Sequence, residues 1–216
     1  MKTITAHDVR RIYSASMAEK YDQPISHMFK AYKNRAFKAS TLKPGARVLV
    51  FCCGTGLDFE AIIRKTGLKG VIVGVDFSAE MLRIARKKIE KHAWRNVRLV
   101  NADVTTFEDH EEELFDAGIC TLGLSVIPDF EKAYRNLVNH VKPGGEIIIG
   151  DMQLANGFFS LLNGFTVHLA KRFGGTVTGH GNSLRLQELM EEELVDVTKR
   201  FFFLGSYFYC LGRKRG

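Results

Sequence analysis

Short apolar runs rich in β-branched residues alternate along this chain with amphipathic stretches, a pattern that predicts a mostly parallel sheet covered by helices. Arg47–Cys52, Val71–Val75, Val97–Asn101, Phe115–Thr121 and Glu146–Gly150 read as strands. Leu57–Thr66, Ala79–His92 and Phe130–Val141 read as helices, the last ended by Lys142-Pro-Gly-Gly145. The tail departs from this rhythm. Leu194–Phe203 and Ser206–Arg213 are β-rich runs separated by Leu204-Gly205, and so short a connection means an antiparallel hairpin. A helical region, about residues 6–40, precedes the first strand. No linker, repeat or low-complexity tract divides the 216 residues, which suit a single domain over 1–216 with 1–40 as a helical cap.

The first strand runs into Cys52-Cys53-Gly54-Thr55-Gly56-Leu57-Asp58. A buried parallel strand ending in small residues and two glycines makes a tight turn whose backbone can press against a ligand. Asp76 then closes the second strand at the distance that one βαβ unit requires. A carboxylate there can take both hydroxyls of a ribose held over the turn, so the pattern predicts an adenosine-containing cofactor. A dinucleotide fingerprint wants a third glycine where this chain has Phe59, and a bulky residue there argues against a pyrophosphate. S-adenosylmethionine (SAM) carries no phosphates and needs room only for its methionine and ribose. The pattern favours SAM.

Composition narrows the class. At 45% apolar and 25% charged residues the chain reads as a soluble globular protein. Met1–Arg11 has no apolar core of a secretory signal, and the Phe158–Phe173 stretch is broken by Asn163, His168 and Lys171-Arg172, so no membrane span is expected. Cys52, Cys53, Cys120 and Cys210 lack metal-ligand spacing and read as small buried hydrophobes in a reducing, cytoplasmic setting; no metal is expected. The net charge of +7 suits an anionic partner, but Arg83, Arg86, Lys87, Lys88 and Lys91 read as the wet face of one helix. No basic block marks a specific nucleic-acid contact.

Val48–Asp58, Gly74–Leu82, Asn101–Asp103, Phe115–Ala117 and Leu137–Gly145 together resemble, in order, the successive motifs of class I SAM-dependent methyltransferases. The resemblance implies a Rossmann-like α/β fold with a seven-stranded sheet in the order 3-2-1-4-5-7-6, and SAM as cofactor with S-adenosylhomocysteine (SAH) as product. It implies that Cys53, Gly54, Thr55 and Gly56 line the methionine and ribose, that Asp76 holds the ribose hydroxyls and that Phe77 flanks the adenine. Asp103 would receive the adenine amino group beside Val104, with Thr121 and Leu122 near the sulfonium; Asp116 matches a structural position. Two departures stand out. The family carries an acid where this chain has Val50, and its first glycine is replaced by Cys52, as it also is in similar quinone-pathway methyltransferases. Asp58 is the nearby acid that can substitute for the missing one.

The acceptor is read from what surrounds these motifs. Leu122–Asp129 and Leu204–Arg213 look like enzymes that N-methylate lipid headgroups such as phosphatidylethanolamine, which makes a lipid-headgroup amine the expected acceptor. The alternatives are C- or O-methylation of a quinone-type or other small molecule, and a SAM-binding regulatory module without turnover. Gly157–Phe173 is a largely apolar helix ending in two cations, suited to an acyl chain or to peripheral contact with a membrane. On the acceptor side, the resemblance makes Tyr21, in a Tyr-Asp pair, the residue that closes the site, with Tyr13 and Tyr32 as rivals. His27 and His168 are the candidate general bases.

Overall fold

The computed structural model describes residues 22, 33–111, 113–154, 163 and 177–216. Tyr13, Tyr21, His27, Tyr32, His168, most of the expected cap and all but Asn163 of the expected Gly157–Phe173 helix lie outside the described residues. Seven strands form one sheet in the order β3-β2-β1-β4-β5-β7-β6. They are β1 (Arg47–Phe51), β2 (Val71–Asp76), β3 (Val97–Asn101), β4 (Phe115–Thr121), β5 (Val141–Met152), β6 (Leu194–Phe202) and β7 (Tyr207–Lys214). The helices are α1 (residues 33–39), α2 (Phe59–Thr66), α3 (Ala79–His92), α4 (Phe130–Asn139) and α5 (Val177–Glu193). The first five strands pair in parallel, and β7 pairs antiparallel with both β5 and β6. The expected sheet order and terminal hairpin are both present.

Burial on both faces explains why the inner strands read as continuous apolar runs. In β1, Leu49 and Phe51 join the core packed under α4 and α5, whereas Val48 and Val50 join the core that holds Ala36 and Phe37 of α1 with Phe59 and Ile62 of α2. Side chains alternate across a strand, so one run feeds two cores.

Three differences from expectation stand out. Helix α2 begins at Phe59 rather than Leu57, because Gly56 and its neighbours are still in the turn. Helix α4 ends at Asn139 rather than Val141, and β5 starts at Val141 rather than Glu146, so Lys142-Pro-Gly-Gly145 lies inside the strand. Helix α5 has no counterpart in the sequence reading; Gly179 and Gly181 in its first turns weaken the helical signal.

Strand register positions the site. Phe51 lies beside Val75 on one side and Cys120 on the other, so the next residues, Cys52, Asp76 and Thr121, share one edge of the sheet. Thr121 pairs with Gly150, which brings Asp151 to the same edge. This carboxyl edge is where open α/β sheets hold ligands.

Candidate cofactor and acceptor site

The turn after β1 is tied to β2 at two levels. Cys53 N–H donates to the Val75 carbonyl at 3.1 Å, and Gly54 N–H donates to Asp76 Oδ2 at 2.8 Å. The other oxygen, Asp76 Oδ1, accepts from Ser78 N–H at 2.9 Å. Among the described residues no second donor meets either carboxylate oxygen, and a free lone pair on each is what a ribose diol requires. Asp76 is buried, and burial raises its carboxyl above the ordinary aspartate range against the pull of the Ser78 and Gly54 N–H groups. Gly54 and Gly56 both have positive φ, at 52° and 75°, a backbone that glycine adopts without strain. Among the described residues, a Cβ placed on Gly54 would meet only the Cys52 carbonyl, at 4.0 Å, and none of them fills the space over the turn. Under the turn, the fully buried Phe59 ring would lie 2.6 Å from a Cβ on Gly56 and 2.8 Å from one on Gly74. That ring takes the space in which a dinucleotide motif packs its helix close.

Two strained residues flank the crevice. Cys52 (φ 50°) and Leu122 (φ 59°) are non-glycine residues in the left-handed region, at the ends of β1 and β4. Such strain gathers where surrounding structure and function over-determine the backbone. The Cys52 thiol is held well above its ordinary pKa, first by its hydrogen bond with Cys120 and then by burial; burial does the same to Cys53. Both thiols are therefore protonated near neutral pH and chemically quiet. Cys53, Cys120 and Cys210 are buried as expected, while Cys52 is only half-buried.

The loop after β4 is braced from β5 and α5. Ser125 N–H donates to Asp151 Oδ2 at 2.9 Å, Leu122 N–H to the Gly150 carbonyl at 2.7 Å, and Asn182 Nδ2 to the Ser125 carbonyl at 2.8 Å. Burial raises the Asp151 carboxyl, opposed by N–H groups of Ser125, Met152 and Gly123. Tyr207 of β7 lies in the field of both Asp151 and Asp58, and its phenol is pushed up first by burial and then by those carboxylates. Asp151, Ser125 and Tyr207 belong to this edge although the sequence reading gave them no role there. The signal that could have found Asp151 is an acid directly after an apolar strand.

The remaining expected residues fall as follows. Phe77 is half-buried and Val104 buried, next to Asp76 and Asp103 respectively. Asp103 is exposed, and its Oδ1 accepts both the N–H (2.9 Å) and the hydroxyl (2.8 Å) of Thr105, so it builds its own turn. Asp116 lies at the opposite edge. Burial works against its ionisation, but the Arg47 N–H and the Lys142 ammonium outweigh it and lower its carboxyl pKa. Of the expected wet face of α3, Arg86, Lys87 and Lys91 are exposed, whereas Lys88 turns to Asp22 at 2.7 Å. Asp22 also accepts the Thr55 hydroxyl at 2.5 Å, which fastens the chain ahead of α1 to the glycine turn. Among the described residues no His, Cys, Asp and Glu cluster could hold a metal ion.

With this geometry in place, the comparison with known proteins is decisive: the sequence pattern of the ubiE/COQ5 methyltransferase family matches residues 1–162. The chain belongs to that family. It has the fold of class I SAM-dependent methyltransferases, and the glycine turn and Asp76 fit SAM. Demethylmenaquinone methyltransferase from Bacillus cereus is 33% identical to it over 138 residues, 61% of this chain and 57% of that protein. The chain thus spans little more than half the length of the curated relatives it matches. A SAM-dependent methyltransferase from Aquifex aeolicus superposes with a TM-score of 0.71 at 18% identity, over 93% of this chain and 98% of the other. An O-methyltransferase family protein from Burkholderia thailandensis gives 0.77 at 14% identity, over 100% of this chain and 64% of the other. At these identities the two structures speak for the fold alone.

Proposed function

We propose that this protein transfers a methyl group from SAM to a ring carbon of a quinone-type acceptor. What supports this reading is the similarity to demethylmenaquinone methyltransferase, which covers 61% of the chain. It favours the quinone alternative over the lipid-headgroup amine expected from the sequence, whose apolar carrier at 157–173 lies, apart from Asn163, outside the described residues.

When bound, SAM supplies an electrophilic methyl group on a sulfonium. The protein's part is to align the acceptor carbon with that methyl group, keep water out and accept the ring proton. In this proposal the glycine turn and Asp76 hold the methionine and ribose, Phe77, Asp103 and Val104 the adenine, and Thr121 and Leu122 the sulfonium end. Tyr21 orients the acceptor, and His27 or His168 takes the proton. Peripheral contact with a membrane surface, which an apolar acceptor requires, is part of the same reading.

The test is methyl transfer from labelled SAM into a cell extract, with organic and aqueous products separated. Label in an organic-soluble, ring-methylated product is the expected result. Label in a headgroup amine would move the assignment to the lipid reading, and label confined to the aqueous phase would remove both. In the same assay, His27→Ala or His168→Ala lowers turnover at saturating SAM while SAH affinity holds. Full turnover in both variants would exclude both histidines as the base.

A further inference from the structure

Asp58 stands at the residue before α2, where an aspartate side chain ordinarily caps the helix by accepting a backbone N–H. It makes no such bond. Its carboxylate turns instead to the carboxyl edge of the sheet. There Oδ2 accepts the Thr121 hydroxyl, and Lys33 of α1 approaches both oxygens, at 3.1 Å from Oδ1 and 3.3 Å from Oδ2. Both side chains of the ion pair are only 10% exposed. A desolvated pair of this kind is weak support for stability, because removing two charges from water offsets most of their attraction. Its position at the end of the glycine turn gives it a second use.

The place to which the family assigns its acid is apolar here. Val50 is 1% exposed and belongs to the same core cluster as Ala36 and Phe37 of α1, the helix that carries Lys33. That position in β1 thus carries no charge, and a buried carboxylate stands eight residues further on, at Asp58, the residue before α2. We propose that Lys33 and Asp58 form a clamp for the α-amino-acid end of SAM, with Asp58 receiving the α-ammonium and Lys33 the α-carboxylate. The proposal rests on SAM binding at the glycine turn.

The charge arithmetic suits a zwitterion. Between Asp58 and Lys33, an ammonium facing the carboxylate and a carboxylate facing the ammonium replace one ion pair by two, and the net charge does not change. Before the ligand enters, the two side chains neutralise each other, so neither is left as a lone buried charge. An ionised carboxylate has about four acceptor positions. Thr121 and Lys33 do not exhaust those of Asp58, whose Oδ1 meets Lys33 alone among the described residues. The Thr121 hydroxyl fixes Asp58 from β4 and so couples the methionine end to the strand that leads into the acceptor loop. Lys33 lies on the segment that also follows Asp22, the residue fastened to Thr55. Seating the methionine group would thus draw on the chain ahead of β1 as well as on the turn.

The experiment is calorimetric titration of wild type, Asp58→Asn, Lys33→Met and the double variant. The probes are SAH, decarboxylated SAH and 5′-methylthioadenosine, which lacks the whole amino-acid end. Asp58→Asn is expected to weaken SAH by about 10- to 100-fold, the range for a lost charged hydrogen bond, and to leave methylthioadenosine within about twofold. Lys33→Met should weaken SAH by about 10-fold or more and leave decarboxylated SAH unchanged. The double variant carries no lone buried charge and serves as the test if a single variant fails to fold. Equal losses for SAH and methylthioadenosine, or an unchanged SAH affinity in the folded variants, overturn the clamp while leaving the cofactor reading intact. Wild-type protein that binds none of the three probes would overturn both.

Discussion

Replacing Asp76 with alanine is expected to weaken SAH binding by about 10- to 100-fold and to destabilise the free protein by about 1–3 kcal/mol. The first effect follows from losing the acceptor of the ribose hydroxyls. The second follows from the two backbone N–H groups, of Gly54 and Ser78, that this carboxylate accepts in the folded chain. Asp76→Asn keeps one acceptor oxygen and should recover part of the stability but little of the binding. Acidity adds an independent readout. Burial raises the folded pKa of Asp76, so its stabilising contribution in the free protein is present below the unfolded value and is lost as pH rises through the folded one. Ribose donors favour the ionised form. SAH affinity should therefore fall as pH is lowered through that raised pKa, and the alanine variant should lose this part of the dependence. Calorimetry with SAH across pH, together with urea unfolding, checks both. Full affinity in a folded Asp76→Ala protein would remove the ribose from this carboxylate.

Gly123→Ala is expected to destabilise the protein by about 1–3 kcal/mol, the usual range for an overpacked interior site. A Cβ at Gly123 would lie 2.5 Å from Cys52 Cβ, 2.9 Å from Cys52 Sγ and 3.3 Å from Cys120 Sγ. The nearest of these atoms is a β-carbon fixed to the backbone, so it cannot swing away as a side-chain tip would. The loop from Leu122 to Val126 must then shift, and with it the acceptor side of the site. Cys52 itself is held at φ 50°, a conformation that disfavours a residue with a Cβ by about 1–2 kcal/mol. Cys52→Gly removes both that strain and the clashing atoms, at the loss of a packed thiol. In a double-mutant cycle, Cys52→Gly should restore most of what Gly123→Ala loses, with a coupling of about 1 kcal/mol or more. Simple addition of the two single effects, measured by urea unfolding, would show that Cys52 is not what Gly123 makes room for.

These two sites differ in how far they could be read along the chain. Asp76 and the glycine turn are local in sequence, each at the end of a strand marked by its own apolar run. The Cys52–Gly123 contact joins the ends of two neighbouring strands and exists only because β1 and β4 are adjacent in the sheet. The same holds for Lys33 with Asp58, Asp22 with Thr55, and Asp151 with Ser125. Helix α5 escaped for a different reason. Its glycines and polar residues obscure the helical period, and packing against the loop after β4 and the sheet supplies what propensity does not.

The sequence by itself determined the alternating parallel framework, the hairpin at its end, the open turn at Gly54 and Gly56, and the carboxylate at Asp76. These depend on side-chain period, on glycine's access to positive φ, and on an acid placed at a strand end, all of which are written over a few consecutive residues. Only the tertiary structure decided which charges meet across the crevice. Along the chain Asp58 is only the nearby acid that can substitute for the missing one; the structure turns its carboxylate away from the helix toward Thr121 and Lys33. That choice depends on where α1 and β4 sit relative to α2, and pairings between distant segments arise from strand order and packing, which no local pattern encodes.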